Sequence, residues 1–197
     1  MHKEKAVVVT SDELTRIMED SMAKSRNNYY VNMQEIVREL NVRGIDVGES
    51  FLRFCEDATA YHYFGFRTLR YLNELASSGE LSETQAERLL AIAEKEPYGI
   101  YNDAECLGCI YHLGHRRIYK DVLLKFAERQ FKEKKCREWR WNAFIALGQL
   151  LKPGTVLQLS KEFLQEIARE AEKEHDERRR NQLIFLAGRL WENQKLY

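Results

Sequence analysis

Cys106, Cys109, His112 and His115, in the run CLGCIYHLGH, are the residues of this chain whose types and spacing come nearest to a chemical motif. Two thiols and two imidazoles are zinc ligands by type, and a total of four suits a closed structural site. The spacing argues against it. Side chains at every third position of one α-helix rotate by about 60° per step, so the four sweep around half the cylinder and do not meet at one ion. A metal site here needs the helix to break near Gly108 or Gly114, or ligands from elsewhere. The expectation is therefore no metal, with the cysteines acting as small buried apolar residues.

Other chemistry is thinner still. Nucleophilic catalysis needs a serine or cysteine with a base and an orienting group, and no motif supplies that context. Glu56 and Asp57 stand near His62, yet adjacent helical residues do not face one another. The glycines are scattered singly, without a phosphate-binding or dinucleotide-binding pattern. No catalytic and no cofactor-binding residues are expected, and the chain is read as a non-enzyme.

What positions these residues is a repeat. NDAECLGCIY at 102–111, NAFIALGQLL at 142–151 and QLIFLAGRLW at 182–191 superimpose at a spacing of 40 residues. Gly108, Gly148 and Gly188 align, as do Ala104, Phe144 and Ile184. So do Leu107, Leu147 and Ala187, then Ile110, Leu150 and Leu190, then Tyr111, Leu151 and Trp191. A period of roughly 40 residues belongs to two-helix units that bury their apolar faces only by stacking. Second helices echo one another in LLAIAE at 89, LLKFAE at 123 and FLQEIAR at 163.

The rest of the 197 residues also reads as helix. Only two prolines occur, charged residues make up 31% and hydrophobic ones 44%, which fits a globular helical chain. Thr10 to Asp12 cap a first helix ending near Asn27 and Asn28, and a second runs from about Val31 to Leu40. Phe51 to Leu75 is an aromatic segment of one bent helix or two, read as core. Ser82 and Gln85 stand at capping-box separation. The single strand-like run is Val7 to Val9. Pairs then follow at 102–113 with 119–133 and at 138–151 with 160–173, and a last helix covers 178–193.

In its Leu-Gly first-helix core and its repeat length the chain resembles the HEAT-like α-helical repeat family. The resemblance implies an all-α fold of antiparallel helix pairs stacked as a short α-solenoid. It covers residues 82–197 of a single domain 1–197, with less regular helices over 1–81. The proline often found in a first helix of such repeats is missing.

Net charge is zero but segregated: residues 46–105 carry 5 basic and 12 acidic side chains, net −7, and residues 106–197 carry 19 and 12, net +7. A field of that kind steers an acidic protein or a phosphate backbone. Arg116, Arg117, Lys132, Lys135, Arg137, Trp139 and Arg140 are the candidate partner-binding residues. Arginine beside tryptophan serves both protein hot spots and base stacking. Trp139 is expected to be exposed and Trp141 to be core.

The leading expectation is a protein-binding module that recognises one partner by shape and charge, of the kind found in inhibitors and bacterial immunity proteins that neutralise a toxin or enzyme. The alternative is nucleic-acid binding by the basic half, since some HEAT-like proteins are DNA glycosylases, although no catalytic residue matches. With no run of 18 apolar residues and no signal-peptide order, the cytoplasm is the expected compartment, no membrane partner is expected, and free thiols are the expected state of the four cysteines.

Overall fold

Helices begin where the sequence supplies an acceptor for an orphan backbone N–H. Thr10 Oγ1, Asn32 Oδ1 and Asp46 Oδ1 accept from the N–H three residues on, at 3.2, 3.2 and 2.9 Å, and open α1 (Ser11–Lys24), α2 (Met33–Val42) and α3 (Val47–Glu56). α4 (His62–Ser78) follows. The expected capping box then opens α5 (Glu83–Glu94): Gln85 N–H donates to Ser82 Oγ at 3.2 Å, and Ser82 N–H donates to Gln85 Oε1 at 2.9 Å. α6 (Asn102–Gly114) completes the first half of the chain. The computed structural model describes residues 7–25, 31–57, 62–95, 102–133, 137–151, 157 and 159–194, without the side chains of 62, 102–107, 137–140, 193 and 194.

Two helix ends use glycine for a backbone reason. Gly44 and Gly79 have φ of 69° and 81°. At each, the following residue's N–H reaches back to a carbonyl of the last turn: Ile45 to Leu40 and Glu80 to Leu75, both at 3.0 Å. This is the left-handed C-cap that closes α2 and α4.

The described helices cluster into two compact units, Met1–Arg116 and Arg117–Tyr197. In the first, α4 packs on α3 and α6, and α5 packs on α6 and α3. Phe51, Phe54 and Phe64 are fully buried, and Tyr71 meets Phe51 edge-on at 5.7 Å, so the aromatic segment is core filling divided between two helices. Arg88 on α5 ties this packing down by donating to Glu56 Oε1 and Oε2 at 2.8 and 2.7 Å and to Glu49 Oε2 at 2.6 Å, both on α3. Val7 to Val9 forms no strand among the described residues. It makes one parallel bridge, Val7 to Ile45, and Asp46 N–H donates to Val7 O at 2.9 Å.

In the second unit a 3-10 turn, Arg117–Tyr119, leads into α7 (Lys120–Glu133), α8 (Arg137–Leu150), α9 (Lys161–Lys173) and α10 (Glu177–Gln194). α7 pairs with α8 and α9 with α10, one helix out of step with the expected pairs of 102–113 with 119–133 and 138–151 with 160–173, and the last helix, expected to stand without a partner, packs on α9. Phe131 on α7 joins the pairs, 5.0 Å from both Phe144 of α8 and Phe163 of α9. The repeat stripe is buried where it faces its own pair: Leu147, Leu150, Ala187 and Leu190, with Ile110 at the matching place on α6. The fold is all-helical among the described residues, neighbouring helices pack as helical repeats do, and no described helix is long and apolar enough to cross a membrane.

The boundary between units falls at Arg116, inside the stretch expected to be regular repeats. The reason lies in α6, whose apolar face is taken up by α4 and α5. Two expected boundaries also shift. α1 stops at Lys24, whereas Asn27 and Asn28 lie outside the described residues, and α2 starts two residues late because Asn32 serves as its cap.

Candidate functional site

α6 runs unbroken through Gly108 to Gly114, so Cys109 and His112 share one continuous helix and His115 follows just past its end. Cys109 is fully buried, His112 is half-buried and His115 is exposed; the Cys106 side chain lies outside the described residues. No group of three or more ligand side chains suited to a metal occurs among the described residues. The structure instead gives His112 a partner that sequence reading missed. Its Nδ1 hydrogen-bonds to the Ser77 hydroxyl at the end of α4, and Arg116 Nε donates to the Ser77 carbonyl. The His115 ring packs on Tyr111 at 4.4 Å. Burial holds the His112 imidazole below its ordinary pKa, the neighbouring His115 adds to this, and Glu74 opposes it.

The basic residues singled out from sequence do not form one described patch. Arg116 is engaged with the α4 terminus in the first unit. Arg117 lies in the turn before α7 and Lys132 in its last turn, at opposite ends of that helix. Lys135 lies outside the described residues, as do the side chains of Arg137, Trp139 and Arg140.

The second unit carries an open groove of 590 Å³ between α8 and α10. These helices are equivalent members of successive repeats and meet only narrowly, because each is held mainly by its own pair. α8 presents Trp141, Phe144 and Gly148, spaced three to four residues apart along one face, and Leu151 just past its end continues the row. α10 presents Phe185, Leu186 and Arg189. Phe144 is buried at 8% exposure and forms the floor, while Phe185 stands 70% exposed as a wall.

Trp141 was expected in the core and is only half-buried. It turns its ring into the groove, 6.1 Å from Phe144, and Arg179 lies over it at 5.3 Å. Its place one residue ahead of the repeat stripe rotates it about 100° away from the face that packs inward. Arg179 thus reaches α8 from the first turn of α10.

Gly148 is exposed in the last turn of α8, and a Cβ built there meets no atom within 4 Å. Glycine inside a helix costs about 0.5–1 kcal/mol relative to alanine, and nothing in the fold's own packing requires it here. At Gly108, by contrast, a Cβ would stand 3.4 Å from Asn73 Nδ2. A bare backbone in an apolar groove lets another backbone approach closely.

The sequence held a signal for this site. Residues 183–187 read LIFLA, five consecutive apolar residues, whereas the core-facing stripe of a helix takes only three or four in two turns. The surplus has to face outward, and Ile184, Phe185 and Trp191 are exposed at 56%, 70% and 40%. Chemically the groove offers apolar contact, one guanidinium in its lining and one at its end, and no carboxylate among its lining residues: a surface for binding. No protein-family model, no curated protein and no solved structure matches this chain.

Proposed function

We propose that this chain is a non-enzymatic protein-binding module of the HEAT-like kind, acting in the cytoplasm, which recognises one partner by shape and charge. The observation that supports this reading is the open apolar groove between α8 and α10, walled by the 70% exposed Phe185. An apolar groove with aromatic walls and arginine at its edge has the composition of a protein hot spot. The net charge of residues 117–197, 18 basic against 12 acidic side chains or +6, favours an acidic partner. An inhibitor or immunity protein that masks a toxin or enzyme fits this chemistry, because such a protein needs a complementary surface and no reactive group.

The test is capture from a native lysate on the full chain, split with and without nuclease, followed by mass spectrometry. One protein retained in both halves is the expected result. Retention that disappears with nuclease, together with eluted nucleic acid, transfers the function to the basic residues Arg117 and Lys132 and their neighbours.

A further inference from the structure

We propose that the groove between α8 and α10 seats an amphipathic helix of the partner protein, about three turns long, with its apolar face on Phe144 and Phe185 and acidic residues meeting Arg189 and Arg179. This rests on the protein-binding reading and specifies the occupant. On this side the lining runs from Trp141 on α8 to Leu151 just past its end, roughly 15 Å at the helical rise of 1.5 Å per residue. Side chains at intervals of three and four form the ridges between which another helix lies.

Gly148 sits within that run with open space above it, so an incoming helix can approach without displacing any atom of this fold. Small residues at a crossing point shorten the distance between helix axes. A bulkier helix former at 148 would suit the isolated chain better, which makes the glycine intelligible as a contact position.

Charge selects the flank. Arg189 is the one charged residue lining the groove among the described residues. The guanidinium carbon of Arg179 lies 5.3 Å from the Trp141 ring centroid, and a guanidinium placed over an aromatic ring can still donate to a carboxylate. An acidic helix is complementary to both, and a basic one is repelled by the surplus positive charge of this unit.

Two other occupants fit less well. A second copy brings like charge to like charge. Its exposed apolar side chains Ile184, Phe185 and Trp191 also cover far less than the roughly 800 Å² per partner of a stable interface. A fatty acid or other small apolar ligand is normally enclosed over most of its surface, and a site whose wall is 70% exposed does not enclose it.

The experiment places the photoreactive analogue p-benzoyl-phenylalanine at position 185 of the full chain, cross-links it in its native cells and maps the product by mass spectrometry. The expected product is a helical segment of one protein, with apolar residues at i, i+3 or i+4 and i+7 flanked by Asp or Glu. A synthetic peptide of that segment is then expected to bind the wild-type chain and to lose about tenfold in affinity to Arg189→Glu, with recovery when its acidic residues become lysine. Gly148→Leu, checked for retained helix by circular dichroism, is expected to weaken the peptide by a similar factor. A cross-link to an extended or basic segment overturns the acidic-helix proposal and leaves protein binding standing. A cross-link to a second copy or to a lipid overturns the proposal, and the absence of any protein cross-link overturns both readings.

Discussion

The guanidinium carbon of Arg179 lies 5.3 Å from the centroid of the Trp141 ring, so the first turn of α10 is pinned to α8 at one end of the groove. A half-exposed cation–π contact contributes about 0.5–1 kcal/mol. Arg179→Gln is expected to lower the thermal midpoint by about 1–4 °C, followed by circular dichroism at 222 nm. A midpoint unchanged within error would show that the pairings α7 with α8 and α9 with α10 hold the groove without this clamp.

Glycines in this chain divide into those that the backbone requires and those that it does not. Gly148→Ala is expected to raise stability by up to about 1 kcal/mol in denaturant titration, because the new methyl group enters open space on a helical residue. Gly79→Ala is expected to cost about 1–2 kcal/mol, since φ of 81° places the new Cβ against a carbonyl. Stabilities that move in the same direction for the two variants would contradict the assignment.

Arg88 joins α5 to α3 through both Glu56 oxygens and one of Glu49. Burial pushes the Glu49 carboxyl up, but hydrogen bonds from Arg53 and Arg88 and their charges outweigh it and hold the group below its usual value. A depressed carboxylate stabilises the fold fully above its unfolded pKa of about 4.3, and the contribution is lost as pH falls through the folded value. Arg88→Met is expected to cost about 1–2 kcal/mol at pH 7 and low salt and clearly less below pH 4. An equal cost at both pH values would mean that the arginine acts by packing alone.

His112 titrates in the opposite region. Its pKa is lowered by burial and by His115, against Glu74, so the unfolded chain binds the proton more readily than the folded one. Stability from this group is full above the unfolded pKa of about 6.5 and declines as pH falls below it. Between pH 7.5 and 5.5 the wild-type thermal midpoint is expected to drop by more than that of His112→Gln. Parallel curves for the two proteins would place the acid sensitivity elsewhere.

Much of the architecture was legible because it is written in local rules. The Thr10 cap of α1 and the Ser82 and Gln85 capping box of α5 each follow from a few neighbouring residues, whereas the 40-residue register marked α8 and α10 as equivalent helices without showing which helices pair. The site was less legible, because it depends on which face of a helix remains uncovered. Trp141 and Phe144 look alike as apolar positions, and only the narrow meeting of α8 and α10 separates a groove wall from a core floor. Ser77 and His112 stand 35 residues apart on different helices, and no spacing rule announces such a pair.

The most direct test of the central claim compares partner retention by the full wild-type chain, by Phe185→Asp and by the double charge reversal Arg117→Glu with Lys132→Glu, each checked for wild-type helicity. Phe185 is 70% exposed, so its substitution alters the groove wall without opening the core. The groove account predicts that one protein partner is retained by the wild type and by the charge reversal and is lost from Phe185→Asp. Retention by Phe185→Asp together with loss from the charge reversal would contradict it and assign recognition to the basic surface.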